Sequence, residues 1–341
     1  MAEQRFLVVR LSSLGDIVHT FPAVAALRET FPNSEIVWLT HPRWKLLVES
    51  SGLASEVWAA ETRLLPSLRA ILRRIREKRF SIAIDYQGLW KSAALPLFGG
   101  IPRRIGFSAE TIREYGVPML YTDRVRCTRT HIAEQNGELS LRAGARPGCA
   151  GFSLNVSPLD ATAARGYLQV HGTERYVALS PGGGWRSKCW PPERFGVLCK
   201  KIREVLGLRC ILNYGPGEEQ LAATVRDSSG TADPLLYNDD LGPLMALLRN
   251  ALCIVGGDTG PLHLAVALGT PSVALFGPTD PARNGPYRVG DSSIVERRDV
   301  VLRSPRAVTT YKRDNQADSS MLELELDSVF KAVCRQIEAR A

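Results

Sequence analysis

Cys253-Ile254-Val255-Gly256-Gly257-Asp258-Thr259-Gly260-Pro261-Leu262-His263-Leu264-Ala265 reads as strand, tight turn and helix. The apolar run from Ala251 to Val255 suits a buried strand, and Leu262, Ala265, Val266 and Leu268 continue at helical spacing. Pro261 fits the first turn of a helix, where a missing N–H costs nothing. A glycine turn feeding a helix start leaves backbone N–H groups pointing outward at the positive end of the helix dipole, a place where phosphate oxygens bind. The same turn also suits a plain strand-to-helix connection, with Asp258 or Thr259 as the helix cap. The next strand, Pro271 to Phe276, ends in Gly277-Pro278-Thr279-Asp280-Pro281, so two strand ends carry turn chemistry. Ligands of open α/β sheets gather at such ends.

The same alternation runs through the rest of the chain. Phe6–Leu11, Glu35–Thr40, Phe80–Asp85, Tyr176–Ser180 and Cys210–Tyr214 read as strands separated by helical stretches, which indicates doubly wound parallel sheets. At 341 residues and 45% hydrophobic content the chain supports two domains with cores of their own. The stretch Phe152 to Gly172 reads as their connection. Met1-Ala2-Glu3 leads straight into the first strand, so no secretory signal is expected, and no apolar run has membrane-spanning length. Seven cysteines without C-x-x-C spacing favour reduced thiols in the cytoplasm over disulfides or a zinc site.

The net charge of +8 is uneven. Residues 1–159 hold 21 Lys/Arg against 14 Asp/Glu, whereas residues 160–341 hold 22 against 21. A basic first half implies an anionic partner. Nucleic acid is not expected, because no recognition motif occurs and the aromatics do not interleave with the basic residues. The surplus concentrates between Arg63 and Arg79, where seven basic residues accompany one acid, Glu77. Leu68, Ile71, Leu72 and Ile75 mark the apolar face of a helix there, and Arg69, Arg73 and Arg76 mark another. Solvated faces ordinarily mix signs, so this one reads as an anion-binding face.

Further strand ends carry polar residues. Ser12-Ser13-Leu14-Gly15-Asp16 follows the first strand; G-x-G-x-x-G is absent, which speaks against a dinucleotide site, and Asp16 alone fits a helix cap. Asp85-Tyr86-Gln87-Gly88-Leu89-Trp90-Lys91-Ser92 offers Gln87, Lys91 and Ser92 either to a ligand or to the loop itself. Pro181-Gly182-Gly183-Gly184-Trp185-Arg186-Ser187-Lys188 follows a strand, and its glycines permit close backbone approach. Glu218, after Gly215-Pro216-Gly217, and Asp240 both stand at helix starts. Leu322 to Ile337 suggests a terminal helix after an aperiodic stretch beginning at Pro305.

The segments D-T-G-P-L-H-L-A…G-T-P-S-V-A-L-F-G-P-T-D-P, S-S-x-G-D and D-x-Q-G-L-x-K-S together resemble the bacterial heptosyltransferases, which build the inner core of lipopolysaccharide. The resemblance implies a GT-B glycosyltransferase: two Rossmann-like domains facing a central cleft, an acceptor domain over 1–158, a nucleotide-sugar domain over 159–318, and a helix over 319–341 packing back on the first. It implies Asp16 as catalytic base and Lys188 as the binder of the donor's diphosphate. Gly183, Gly184, Glu218, Asp258, Thr259, Gly260 and His263 become donor-side residues, Glu218 facing the ribose and Leu241 the base. Some relatives carry hydroxyl residues where Gly183 and Gly184 stand, so backbone N–H groups are expected to substitute for them here. Arg69, Arg73, Arg76, Gln87 and Lys91 become acceptor-side residues. Arg103, Arg104, Arg113 and His131–Gln135 also match the family, without a role attached; His19 reads as a packed histidine.

The implied reaction is inverting transfer of heptose from ADP-heptose to Kdo-lipid A, without metal or cofactor, during transient contact with the cytoplasmic face of the inner membrane. The loops of the first half lean toward the first heptosyl transfer. Two alternatives stay open: transfer to a protein or another glycan, and a non-catalytic nucleotide-sugar-binding protein. A mere binder has no need of a base in the opposite domain, and Asp16 together with Lys188 favours the enzyme.

Overall fold

Continuous apolar runs build two parallel sheets. Arg5–Val9 (β1), Glu35–Thr40 (β2), Glu56–Ala59 (β3), Ile82–Asp85 (β4), Arg103–Phe107 (β5) and Asp123–Val125 (β6) lie in the order β3-β2-β1-β4-β5-β6. Tyr176–Ser180 (β7), Arg209–Asn213 (β8), Leu235–Tyr237 (β9), Ile254–Gly257 (β10), Ser272–Phe276 (β11) and Asp299–Arg303 (β12) lie in the order β12-β11-β10-β7-β8-β9. Every pairing is parallel. Central strands such as β1 and β7 are buried almost throughout, because helices cover both faces and leave no wet side for polar alternation. The computed structural model describes residues 4–62, 64–112, 114–147, 151–288, 298–304 and 318–339. Arg63, Arg113, Cys149 and the aperiodic stretch 305–317 lie outside them.

The chain divides into two compact units, Met1–Asn155 and Val156–Ala341, against an expected boundary at 158. In the first, the helices are Leu14–Val18 (α1), Phe21–Thr30 (α2), Lys45–Ser50 (α3), Leu65–Lys78 (α4), Trp90–Phe98 (α5) and Ile132–Arg142 (α6). Its strands reverse direction of travel between β1 and β4. In the second, the helices include Pro158–Val170 (α7), Pro192–Leu206 (α8), Glu219–Ser228 (α9), Leu241–Asn250 (α10) and Gly260–Ala267 (α11). Its reversal lies between β7 and β10. Each reversal leaves a crevice at the carboxyl ends of two adjacent strands, the usual ligand position in such sheets.

One expectation is corrected. The stretch read as a connection contains α7, which starts on Ser157, whose hydroxyl accepts from the Asp160 N–H, with Pro158 in the first turn. This helix packs on α10 within the second unit. The terminal helix Leu326–Glu338 does form, and its apolar face joins the second unit's core. Val329, Phe330, Ala332 and Val333 are buried beside Trp190, Phe195 and Leu198, and the Trp190 indole N–H donates to the Leu324 carbonyl at 3.0 Å. The apolar periodicity predicted a helix and a buried face, but not which surface would bury it.

Helix α4 shows how charge and burial divide. Ile71 and Ile75 enter the first unit's core, while Arg69, Arg73, Arg74 and Arg76 are exposed. Its last turn is pinned at the sheet's amino-terminal edge, where Lys78 pairs with Glu35 and Glu56 at the starts of β2 and β3.

Candidate active site

In the first unit the two loops at the crevice are tied together. The Gln87 side-chain carbonyl accepts from Leu11 N–H at 2.6 Å and Ser12 N–H at 3.3 Å, so the loop after β4 holds the loop after β1. Asp85, at the end of β4, is fully buried. It accepts from the Gln87 and Gly88 N–H groups, the Ser92 hydroxyl and the Tyr121 hydroxyl. Burial pushes its carboxyl above the ordinary range, against those four hydrogen bonds. Gln87 and Ser92 thus fix the loop, and Lys91 remains exposed on the first turn of α5.

Asp16 sits in the first turn of α1. One carboxylate oxygen accepts from the Ser13 N–H and hydroxyl, at 3.1 and 2.7 Å, and the other meets the Arg10 guanidinium at 2.7 Å. The Asp16 side chain is 43% exposed and that of Arg10 only 7%, so a buried cation is balanced by a carboxylate that reaches water. Arg10 also donates to the Tyr86 carbonyl, spanning both loops. Arg10 escaped the sequence reading because it looked like part of the first strand. The available signal was a charge set in an otherwise apolar run.

The second unit gathers the donor-side residues around one carboxylate. Asp258, at the end of β10, meets Lys188 Nζ at 3.4 Å and His263 Nε2 at 3.0 Å. Burial alone would raise its pKa; the His263 hydrogen bond and the Lys188 charge outweigh that and hold it at about 2. Thr259 stands at the cap position of α11, yet its side chain makes no cap hydrogen bond, and the helix start is left open. The Thr259 hydroxyl oxygen is buried without a partner among the described residues. The Gly182–Lys188 loop packs directly on this turn: a Cβ at Gly257 would lie 2.8 Å from the Lys188 carbonyl oxygen, and one at Gly183 would lie 3.3 Å from Thr259. Cys189, buried in the same loop, has its thiol pushed up to about 11, chiefly by burial.

Glu218 joins the set by a route the sequence did not show. Its carboxylate accepts from Gly183 N–H at 3.1 Å and Gly215 N–H at 2.7 Å, bridging the loops after β7 and β8. The Gly183 N–H, expected to face phosphate, is therefore taken up by Glu218. A Cβ at Gly182 would collide with the same carboxylate. Gly184 is exposed with open space around it. Asp240 occupies the cap position of α10 without a side-chain cap bond.

The basic helix is not uniform. Arg73 pairs with Glu77 at 3.6 Å, and Arg76 donates twice to the Phe98 carbonyl at the end of α5. Along the axis from Lys78, Arg76 lies about 3 Å away, Arg73 about 7.5 Å and Arg69 about 13 Å, toward the carboxyl edge. Arg103 and Arg104 are held by Asp123 and by the Leu120 and Ile101 carbonyls. His19 packs edge-on against His131.

Among the described residues no group of three or more His, Cys, Asp or Glu is placed to hold a metal ion, and no helix is long and apolar enough to cross a membrane. Two doubly wound α/β domains, each with polar residues gathered at its crevice, make up the GT-B architecture. The sequence model of glycosyltransferase family 9 (heptosyltransferase) matches residues 68–300, and the chain belongs to that family. Lipopolysaccharide heptosyltransferase 1 of Escherichia coli K12 is 27% identical over 316 residues, covering 89% of this chain and 94% of its own. A family 9 glycosyl transferase from Veillonella parvula has a similar fold, with a TM-score of 0.83 at 22% identity, covering 98% of this chain and 97% of that one. An E. coli heptosyltransferase solved with ADP gives a TM-score of 0.71 at 24% identity, covering 98% and 100%.

Proposed function

We propose that this glycosyltransferase moves heptose from ADP-heptose to the Kdo-lipid A inner core, with inversion at the anomeric carbon. The observation that carries the donor half is the Lys188–Asp258–His263 cluster beside the uncapped start of α11. A lysine, open backbone N–H groups and a buried unpartnered hydroxyl suit a diphosphate. Similarity to a heptosyltransferase solved with ADP supports adenine as the base.

Asp16 takes the proton from the acceptor hydroxyl as its oxygen bonds to the anomeric carbon, and the bond from that carbon to the diphosphate oxygen breaks on the opposite face. Lys188 and the α11 start stabilise the charge gathering on the leaving ADP. Asp258 holds the Lys188 ammonium in position. On the acceptor side, Lys91 and Arg69 are two of the basic residues exposed toward the carboxyl edge.

A thermal-shift screen of ADP, UDP and GDP tests the donor. A nucleotide at 100 times its dissociation constant stabilises by about 2.7 kcal/mol, enough to rank the three. ADP is expected to rank first; UDP or GDP in first place would remove the ADP-heptose assignment. Turnover of ADP-heptose only when Kdo-lipid A is present separates an enzyme from a binder, and this acceptor from a protein or another glycan.

A further inference from the structure

Single exposed apolar residues are ordinary on protein surfaces; a cluster on one basic rim is not. In the described part of the first unit, every large apolar side chain at least half exposed falls between residues 64 and 119: Leu64, Leu65, Trp90, Phe98, Tyr115 and Met119. The topology brings most of them together. The crossovers β3 to β4 and β4 to β5 travel the same way across the sheet, so their right-handedness puts α4 and α5 on one face. The two helices touch where Arg76 reaches the Phe98 carbonyl and Gly99 meets Ile75. The 3-10 turn Val117–Leu120 packs on α5, and a Cβ at Gly116 would lie 3.0 Å from the Trp90 ring.

Both helices start at the carboxyl ends of the strands. Leu64, Leu65 and Trp90 therefore share the rim that carries Asp16, and Tyr115 and Met119 flank Gly116, which meets the Trp90 ring, while Phe98 lies at the far end of α5. Tyr115 is 99% exposed and Met119 76%. Exposed Lys91 stands beside Trp90, and Arg69 lies one turn into α4. The nearby acid Glu114 accepts from the Trp90 N–H at 2.8 Å. The first half of the chain, with 21 Lys/Arg against 14 Asp/Glu, supplies the wider positive field.

We propose that this rim is a bilayer-docking surface, which sets Trp90, Tyr115 and Met119 among the headgroups of an anionic leaflet. Tryptophan and tyrosine settle at headgroup depth because one end of each ring system is apolar and the other polar, and neighbouring lysine and arginine are drawn to anionic lipid. The proposal rests on the lipid-acceptor reading above. It adds that the surface meeting the leaflet is the rim holding the base, so a membrane-anchored acceptor is met at Asp16 without leaving the bilayer.

The test uses the full-length protein and vesicles of phosphatidylglycerol or phosphatidylcholine. Wild type should co-sediment with phosphatidylglycerol vesicles in a salt-sensitive way. Trp90→Ser/Tyr115→Ser/Met119→Ser should bind on the order of tenfold more weakly or worse, with its thermal shift by ADP unchanged as proof of folding. Brominated phosphatidylglycerol should quench wild-type fluorescence, and Trp90→Phe should remove that quenched fraction while still binding. Absence of binding by wild type, equal binding by the triple variant, or quenching that survives in Trp90→Phe would each overturn the surface. Concentration-dependent dimerisation lost in the triple variant, without vesicle binding, would overturn it in favour of a second copy of the chain. Docking with Trp90 quenched but no transfer to a lipid-anchored acceptor would leave the surface standing and remove the acceptor reading.

Discussion

Asp16 has two duties, and the second was hidden from the sequence. As the proposed base it faces the acceptor; as the partner of Arg10 it balances a buried guanidinium. Asp16→Asn is therefore expected to lower kcat by about 10²- to 10⁴-fold with ADP affinity unchanged. It should also cost about 1–3 kcal/mol of stability, since a buried donor loses its charged acceptor. Steady-state kinetics, calorimetric ADP titration and urea unfolding measure the three separately. Wild-type kcat with only the stability loss would reduce Asp16 to the counter-ion of Arg10. Asp258 makes a pH prediction. Its folded pKa of about 2 lies below the ordinary 3.8, so its contribution to stability is present above about pH 4 and is lost as pH falls toward 2. The shift corresponds to about 2 kcal/mol. Urea midpoints across that range should fall more steeply for wild type than for Asp258→Asn; parallel curves would mean that the carboxylate gains nothing from Lys188 and His263.

At the scale of elements, the proposed donor site depends on how closely the Gly182–Lys188 loop lies on the end of β10. Gly257→Ala would place a methyl group 2.8 Å from the Lys188 carbonyl, and backbone has to move to admit it. The variant should lose about 1–3 kcal/mol of stability and bind ADP more weakly, because the displaced loop carries Lys188. Gly184→Ala, with nothing within 4 Å, is the control and should melt like wild type. If both variants kept wild-type ADP affinity in calorimetry, the packing of loop on turn would have no part in the site. Lys188→Ala should weaken ADP binding and turnover together, because one ammonium serves both bound and leaving diphosphate. Unchanged values of both would take Lys188 out of the site.

At the scale of the molecule, the uneven charge is the guide to the acceptor. Arg69, Arg73 and Arg76 of α4 share a helix face but occupy different heights along the helix. Arg69→Gln should raise the acceptor KM and flatten its dependence on ionic strength. Arg73→Gln and Arg76→Gln should leave KM nearly unchanged, with a slightly lower Tm for the second, which gives up two hydrogen bonds to Phe98. Equal increases in KM from all three, measured at low and moderate salt, would show a diffuse positive field in place of a local site.

The order of apolar runs and glycine turns by itself determined two parallel α/β domains and marked the strand ends after β1, β4, β7, β8 and β10 as the polar ones. That much is local: strand periodicity, helix starts and turn residues are decided within a few neighbours. Partnership is not local. Arg10 with Tyr86, Gln87 with Leu11, Lys188 with Asp258 and Glu218 with Gly183 become neighbours only when the sheets order their strands. Strands β3, β5, β6, β9 and β12, whose apolar runs are short or broken by charge, went unread. So did the surface that the terminal helix covers, because an amphipathic pattern states that a face is buried without stating against what. Arg73 and Arg76 match Arg69 in sequence spacing; only the pinning of Lys78 at the amino-terminal edge set their different heights along the helix.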